Sequence, residues 1–395
     1  MQKRRWGVGT TAVHAGEVID PFTGDVTTPI HQSSTYAYPE RPTPNGWTAN
    51  EWIYTRYANP TTAAAEAKVA ALEGAEGCLA FASGMAAGAA CVLPFVRAGD
   101  HVVAMAAIYG GTQALLARQV RRLGMRVDTT LDLEAGAIAD LATDKTRVVV
   151  AELPTNPFNR LIDLPVLVRR LRFRWGRAAP LTAVDATFAT PLNLRPLEHG
   201  AALSFHSATK YLNGHTDLIG GVVSGFAKRL EALHVWRRDV GACMDPHQAF
   251  LLQRGLKTLE VRLRRAEANA RAVSEALEHH RKVKTVWFLG SKAHPDYALG
   301  RRLLKGPGAI VTLELRRGGL SAARRFQRGL ELFAPAPSLG GVDSLVSLPV
   351  ETSHAAATAA DRRAQGITPS LVRLAVGIET ADDLVDDVAR ALRRV

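Results

Sequence analysis

Residues 204–225 read SFHSATKYLNGHTDLIGGVVSG, and the interpretation of the whole chain starts from this stretch. Apolar runs at its two ends predict two strands, and the turn between them holds glycines, hydroxyl residues and a lysine, Lys210. A lysine at a strand end, beside Ser207 and Thr209, can form a Schiff base with an aldehyde while the hydroxyls bind a phosphate. A surface loop can have the same composition, so the other parts of such a site must be sought elsewhere in the chain.

Outward from this stretch, short runs rich in β-branched residues alternate with helix-like segments such as 112–123 and 165–173. The runs are 101–104, 147–153, 181–185, 203–206 and 219–224. This alternation predicts parallel strands covered by helices on both sides. Asn59 and Pro60 predict the start of a helix, and Gly74 predicts its end. Leucines at helical spacing over 248–280 predict one long helix that opens a second, smaller domain.

These patterns divide the chain into three parts. Residues 1–60 are rich in Pro, Thr, Ser and Tyr and predict an irregular N-terminal arm. Residues 61–245 form a large domain, and residues 246–395 form a small C-terminal domain. The length of 395 residues agrees with two or three units at roughly 150 residues per domain.

Composition excludes several classes of protein. Hydrophobic residues make up 47% of the chain and charged residues 22%, which is typical of a globular protein. The apolar run 85–96 is shorter than the roughly 20 residues of a membrane span. The net charge is +12, but arginine pairs are scattered over predicted helices, which favours solvated faces over a nucleic-acid site. The start of the chain lacks the apolar stretch of a signal peptide, which favours a cytoplasmic protein.

The cysteines indicate no disulfide framework and no metal site. There are three, Cys78, Cys91 and Cys243, far apart and without CxxC spacing. We expect them to be buried small hydrophobic residues.

Three further stretches offer groups that would complement Lys210. Asp185 ends the apolar run LTAV, 25 residues before the lysine, and could keep the ring nitrogen of a pyridine cofactor protonated. Its alternative role is to cap the turn that follows the strand. Gly84 and Met85, after Ser83, offer backbone N–H groups to a phosphate at the start of a helix. Tyr109, just after a strand, could stack on the ring or simply be a half-buried residue at a strand end.

Together these stretches resemble the Cys/Met-metabolism group of pyridoxal 5'-phosphate (PLP) enzymes. This group includes cystathionine γ-synthase, γ-lyase and β-lyase and has the aspartate-aminotransferase-like fold type I. The resemblance covers nearly the whole chain, and its matching segments are TTPIHQSSTY, YTRYANPTT, SGMAA, YGGT, PTNP, VDATFATP, HSATKYLNGHTD, LLQRGLKTL, SLGG and LVRLAVGIE. It implies an α/β fold with a large, mostly parallel seven-stranded sheet domain and a smaller C-terminal α/β domain.

The resemblance also implies roles for single residues. Lys210 would be the lysine that binds the cofactor covalently and transfers protons, with Tyr109 stacking on the ring and assisting. Asp185 would pair with the ring nitrogen, with Thr187 beside it. The residues implied to hold the phosphate are Gly84, Met85, Ser207 and Thr209. Tyr54 and Arg56 of the arm would reach the cofactor of the neighbouring subunit, with Tyr54 also near the substrate.

The substrate's α-carboxylate would be bound by Arg373, with Asn156 and Ser338 nearby. The implied reaction is γ-elimination or γ-replacement on a γ-substituted L-amino acid. An O-acylhomoserine-dependent thiol transfer and a β-lyase are alternatives, and a non-catalytic nucleic-acid-binding protein is disfavoured. The family's assembly implies a homotetramer built from two dimers that share active sites.

Four positions depart from the family's pattern. Pro337 stands where relatives usually carry Glu, and Ala114 where they usually carry Arg. Loss of both charges suggests a substrate without a charged distal end, unless Trp47, Trp52 or the segment 45–51 compensates. Ala186 replaces Asn beside Asp185. Gly111 occupies the position that is Cys in typical methionine γ-lyases, which disfavours that activity.

Overall fold

The computed structural model describes residues 6–37, 52–355 and 357–395. The first half of the chain contains a seven-stranded sheet. Its strands, in spatial order, are β1 (Gly77–Phe81), β7 (Gly221–Gly225), β6 (Leu203–Ser207), β5 (Leu181–Asp185), β4 (Thr146–Glu152), β2 (His101–Met105) and β3 (Arg126–Thr130). Neighbouring strands are parallel except at β7, which runs antiparallel to both β1 and β6. The expected mostly parallel seven-stranded sheet is therefore confirmed.

A second, five-stranded sheet lies in the C-terminal part of the chain. In spatial order its strands are β10 (Ala334–Pro335), β11 (Leu345–Ser347), β12 (Leu371–Ala375), β9 (Ile310–Leu315) and β8 (Val283–Trp287). All neighbours are antiparallel except β10 and β11. The predicted boundary at residue 246 falls between the two sheets, at the start of a helix, and stays a prediction.

The helices of the described residues are α1 (Val8–His14), α2 (Pro60–Glu73), α3 (Gly84–Ala90), α4 (Gly110–Ala114), α5 (Ala135–Asp140), α6 (Leu164–Trp175), α7 (Thr190–Asn193), α8 (Ala227–Val240), α9 (Pro246–Leu256), α10 (Leu259–Glu278), α11 (Tyr297–Leu303), α12 (Gly319–Gly329), α13 (Ala359–Ala364) and α14 (Ala381–Arg393). Short 3₁₀ turns lie at Leu93–Phe95, Gly176–Ala178 and Pro196–His199. None of these helices is both long and apolar enough to cross a membrane.

One apolar core joins the two parts of the chain. It combines side chains of α2, β1 and β7 with those of α9 and α10 and of the second sheet. A second core fills the other side of the seven-stranded sheet. On this side α2 packs on β1 and β7, and α9, which follows the first sheet in the chain, packs on α2.

The structure corrects several expectations about single elements. The helix predicted over 112–123 begins at Gly110 and widens into a π-helical turn at Leu115–Val120. Within the first sheet, β1 and β3 were not predicted, and β7 begins at Gly221 rather than at residue 219. The arm was expected to be irregular, but it contains α1, whose last turn is capped by Lys68: the ammonium donates to the carbonyls of Ala12 and Val13 at 3.0 and 2.7 Å.

The single helix expected over 248–280 is two helices, α9 and α10, separated at residues 257–258. Arg262 of α10 supplies the physical reason, because its guanidinium donates to the Gly255 carbonyl near the end of α9 at 2.8 Å. The same group donates to the Tyr211 carbonyl at 2.9 Å, in the loop that follows Lys210. The break therefore ties the end of α9 to the lysine loop.

Candidate active site

Three neighbouring parallel strands end in polar residues at one edge of the first sheet. β4 ends at Glu152, β5 at Asp185 and β6 at Ser207, and the register places Glu152 directly beside Asp185. Ligands of open α/β sheets bind outside this edge. Asp185 and Ser207 were predicted from the sequence, whereas Glu152 was missed. The sequence contains a pattern that could have indicated Glu152, because this residue ends a buried apolar run just as Asp185 does.

Asp185 is held by Thr187, two residues further along the chain. One carboxylate oxygen accepts the N–H of Thr187 at 2.9 Å and also the Thr187 hydroxyl. That hydroxyl in turn accepts the N–H of Ser207 at 2.9 Å, which links the ends of β5 and β6. Burial raises the pKa of Asp185, while the Thr187 hydrogen bonds and the charge of His206 act in the opposite direction. The carboxylate is therefore fixed in orientation, and a cationic partner would favour its ionised form.

Lys210 lies in the turn after β6, half-buried, with its N–H donated to the Ser207 carbonyl at 3.2 Å. Its ammonium donates to the hydroxyl of Ser338 at 2.9 Å, although the two residues are 128 positions apart. Burial and, second, the charge of Arg373 lower the pKa of Lys210 to about 8. A lysine with such a pKa is more readily a neutral nucleophile or base than one on the surface.

The start of α3 lies directly against the end of β6. Ser83 caps the helix, its hydroxyl accepting the N–H of Ala86 at 3.1 Å. A Cβ atom added at Gly84 would lie only 2.8 Å from Cβ of Ser207. The N–H groups of Gly84 and Met85 belong to the first helical turn, where the backbone has no intrahelical acceptor. Thr209 lies in the same loop, but its hydroxyl is bonded to the backbone of Gly220.

Tyr109 stands at the start of α4 with its side chain 47% exposed, so the ring is open to a ligand. Its N–H donates to Oε2 of Glu152 at 2.6 Å. The ring lies over Gly111, where an added Cβ would be 2.5 Å from Cε1 of Tyr109 and 2.8 Å from Sδ of Met85. A cysteine at position 111 would therefore require the Tyr109 ring to move.

Arg373 of β12 joins residues from distant parts of the chain. Its Nη1 donates to Oδ1 of Asn156 at 3.0 Å, and its Nη2 donates to the carbonyl of Ser338 at 3.1 Å. The residue is only 4% exposed, and burial lowers its pKa to about 10, well within the range where it stays charged at neutral pH. The structure thus brings together the predicted residues Asn156, Ser338 and Arg373, and places Lys210 on the same hydrogen-bond network.

The departures from the family pattern lie at different places around the strand edge and its loops. Ala114 lines a cavity of about 810 Å³ together with Tyr109, Gly111, Arg118 and Arg121. Pro337 is exposed and precedes Ser338, while Ala186 is fully buried in the turn after Asp185. Trp52 is described and lies in the arm, whereas Trp47 and the segment 45–51 lie outside the described residues.

His354 is a second residue that the sequence analysis did not single out. It lines the same cavity and is 4% exposed. Burial, and then the charges of Arg373 and Arg362, lower the pKa of His354 to about 4. The imidazole is therefore neutral at ordinary pH, and the positive charges in the lining of this cavity come from Arg118 and Arg121.

Among the described residues, Tyr54 and Arg56 make no hydrogen bond to Lys210. Arg56 donates to the carbonyl of Arg238 at 2.5 Å, and its guanidinium lies 4.9 Å from the ring centre of Tyr57. Tyr54 is 41% exposed. The intrachain contacts of Arg56 are thus with α8 and the arm itself.

The polar groups at this edge fit PLP. Asp185 can accept a hydrogen bond from the ring nitrogen, Lys210 can react with the aldehyde, and the N–H groups of Gly84 and Met85 can bind the phosphate. The narrow space beside Gly84 would be filled by any larger side chain. Among the described residues, Nε of Arg373 is buried and has no hydrogen-bond partner, which leaves a donor for a substrate carboxylate.

The two sheets and the lysine at the edge of the larger one define a PLP-dependent enzyme of fold type I. Residues 9–393 match the family described as Cys/Met metabolism PLP-dependent enzyme, and the chain belongs to this family. It is 38% identical to a cystathionine gamma-lyase of Bacillus subtilis, with 98% of this chain and 99% of that protein covered. It is 36% identical to an L-methionine gamma-lyase of Fusobacterium nucleatum, with 100% of both covered.

A solved structure shares the fold. The cystathionine gamma synthase of Xanthomonas oryzae, solved in complex with aminoacrylate and cysteine, superimposes with a TM-score of 0.92 at 37% identity. The superposition covers 99% of this chain and 100% of that one. The expected family, fold class, enzyme class and cofactor are therefore confirmed, while the substrate and the roles of single residues remain to be proposed.

Proposed function

We propose that this enzyme catalyses γ-elimination or γ-replacement on a γ-substituted L-amino acid. The observation that carries the proposal is the link between Lys210 and Arg373 through Ser338. It places a lysine amine, which can transfer protons, on the same network as a buried guanidinium, which can bind a carboxylate. An amino-acid substrate has both an α-carboxylate, which the guanidinium can bind, and carbon-bound protons, which the lysine amine can remove.

The residues of the strand edge would hold the cofactor. Bound PLP supplies an electron sink that stabilises negative charge on the substrate. Asp185 would keep a proton on the ring nitrogen, and Tyr109 would cover one face of the ring. The phosphate would be bound by groups of the two loops described above, namely Gly84, Met85, Ser207 and Thr209, with Thr187 holding Asp185 and Ser207 in place.

Arg373 and Asn156 would bind and orient the substrate's α-carboxylate, and Ser338 would hold the guanidinium in place through its carbonyl. With the carboxylate fixed, Cα and Cβ of the substrate would lie near the Lys210 amine, which would take the proton of Cα, deliver it to the bound cofactor and, neutral again, take a proton from Cβ. The electron pair left on Cβ expels the group on Cγ. Either a nucleophile then adds at Cγ and protons return to Cβ and Cα, which completes a replacement, or Cγ takes up a proton and water hydrolyses the product to a keto acid and ammonia, which completes an elimination.

The substrate side chain would enter the cavity lined by Ala114. Neither Ala114 nor Pro337 provides a charge, and this favours a distal end that is small or uncharged. Arg118 and Arg121 line the same cavity, so a comparison of charged and uncharged leaving groups is the appropriate test. The close contact of Gly111 with Tyr109 supports a pocket different from that of typical methionine γ-lyases.

We also propose a cytoplasmic homotetramer, a pair of dimers with shared active sites. Support for the shared sites comes from the arm, in which Tyr54, Phe22, Val18 and Val26 expose 41, 95, 79 and 75% of their surface in the single chain. Burial of such residues against a neighbouring subunit would be favourable. The three cysteines are free thiols, which suits a reducing compartment.

Parallel titrations of the purified holoenzyme with L-cystathionine and with an O-acyl-L-homoserine plus a thiol test the proposal. Cofactor absorbance and keto-acid release are followed, with Lys210→Ala as the control that cannot link to the cofactor. Turnover of either substrate by the wild type, absent from the variant, is expected. Normal turnover by Lys210→Ala would refute the mechanism, and release of pyruvate rather than 2-oxobutanoate from L-cystathionine would replace it by a β-lyase.

A further inference from the structure

We infer that Glu152 is a positioning residue of the active site, which fixes Tyr109 and the Asn156–Arg373 pair relative to each other. The inference rests on the proposed function, because it takes Tyr109 as the residue that stacks on the ring and Arg373 as the residue that binds the carboxylate. Glu152 lies in none of the sequence motifs considered above, and its role is inferred from its hydrogen bonds.

Glu152 uses its two oxygens for two different loops. Oε2 accepts the N–H of Tyr109 at 2.6 Å, and Oε1 accepts the N–H of Asn156 at 2.8 Å. The residue is 4% exposed, so water does not compete for either bond. Two N–H groups, one on each oxygen, favour the ionised form that burial opposes, and hydrogen bonds to an ionised acceptor are roughly twice as strong as those between neutral groups. One planar carboxylate therefore sets the distance between the start of α4 and the loop after β4.

From Asn156 the network continues to the reacting lysine. The amide oxygen of Asn156 accepts Nη1 of Arg373 at 3.0 Å, and the Ser338 carbonyl accepts Nη2 at 3.1 Å. The Ser338 hydroxyl then accepts the Lys210 ammonium at 2.9 Å. A displacement of Glu152 would thus move the ring-stacking residue at one end and the carboxylate-binding residue at the other.

The chemistry of the site explains why a carboxylate is needed. Burial, and then the nearby charge of Asp185, raise the pKa of Glu152, whereas the two N–H bonds and Arg373 favour its charged form. Glutamine would avoid the cost of a buried charge, but its side chain has only one acceptor oxygen, and its NH₂ would face an N–H donor. Aspartate keeps the charge but is one CH₂ shorter, so it cannot reach both loops.

A purely structural role is the alternative, and Asp387 provides a matched control. Asp387 lies on α14 in the C-terminal part of the chain and is 2% exposed. Its carboxylate accepts the N–H groups of Glu331 and Leu332, each at 2.9 Å. It is thus a buried carboxylate that binds two backbone N–H groups and also the guanidinium of Arg390, and none of these partners is a residue proposed for the active site. Its loss should cost stability without touching the active site.

The test compares the holoenzymes of the wild type and of Glu152→Gln, Glu152→Asp and Asp387→Asn. Calorimetric titration with L-norleucine, an amino acid without a γ leaving group, measures binding without any turnover, and the melting temperature measures stability. We expect both Glu152 variants to bind L-norleucine at least tenfold more weakly than the wild type. Asp387→Asn should lower the melting temperature and keep binding within twofold.

The outcomes separate this inference from the proposed function. Equal L-norleucine affinities of Glu152→Gln, Glu152→Asp and the wild type would overturn the positioning role, and so would an equal loss of affinity in Asp387→Asn. A wild type that binds L-norleucine but acts on no γ-substituted amino acid would refute the proposed reaction while leaving the Glu152 comparison readable. A wild type that binds no L-amino acid would overturn both.

Discussion

Replacing Gly84 by alanine tests the contact between the first turn of α3 and the end of β6. An ideal Cβ at this position lies 2.8 Å from Cβ and 3.0 Å from Cα of Ser207, so the methyl group fits only if the helix and the strand move apart. Such overpacking costs about 1–3 kcal/mol. Because both loops are proposed to hold the phosphate, we expect this cost to appear as an approximately 5- to 150-fold rise in the Kd of the apoenzyme for PLP.

Gly88 in the same helix is the matched control. A Cβ there would meet Cε2 of Phe205 at 3.6 Å, an ordinary contact. Alanine in place of an unstrained glycine stabilises a protein by about 0.4–1 kcal/mol, so Gly88→Ala should keep the wild-type Kd and melt slightly higher. Both apoenzymes are titrated with PLP while absorbance and intrinsic fluorescence are recorded. Wild-type affinity in Gly84→Ala, or an equal loss in Gly88→Ala, would refute the reasoning.

Two further predictions concern a rate and a stability. Burial and the charge of Arg373 lower the pKa of Lys210 to about 8. Only the neutral amine attacks an aldehyde. The rate at which the apoenzyme forms a borohydride-reducible link to PLP should therefore fall about tenfold per pH unit below this pKa and level off above it. A pH-independent rate would contradict the assigned pKa. Asn59 caps α2 by accepting two N–H groups and donates to the His31 carbonyl at 2.7 Å, so Asn59→Ala should lower the free energy of unfolding in urea by about 2–3 kcal/mol. Thr380, an N-cap without a side-chain hydrogen bond, is the control, and Thr380→Ala should change the free energy of unfolding by less than about 0.5 kcal/mol.

Local signals in the sequence predicted much of the strand edge. The run LTAVD gives β5 with both ends correct, because a β-branched apolar stretch ends in an acidic residue that must face solvent or a ligand. The helix over 60–73 followed equally from its cap residues, with Gly74 in the left-handed conformation at φ 66°. Glu152 was missed because the strand predicted over residues 147–153 extended to Leu153, which placed Glu152 inside the strand rather than at its end.

The direction of neighbouring strands and the contacts between residues far apart in the sequence were harder to predict than the strands themselves. The alternation of strands and helices suggested parallel neighbours throughout, yet β7 returns antiparallel to β6 because residues 208–220 form a loop without a crossover helix. The pairing of Arg373 with Asn156 joins residues 217 positions apart. No local pattern encodes such a contact, since it depends on how the second sheet docks against the first. Only the resemblance to a known family indicated it.

The helix α9 has a consequence for the chain during its synthesis. All seven strands of the first sheet have been translated once Gly225 is added, and so have all residues proposed to hold the cofactor. The helix α2, which covers one side of this sheet, also packs against α9, however, and Leu252 and Leu256 of α9, which follow later, belong to the same apolar core. A nascent chain that has emerged from the ribosome only as far as residues 225–246 therefore holds all seven strands but leaves apolar surface of α2 uncovered, a species open to proteases and to aggregation until α9 emerges.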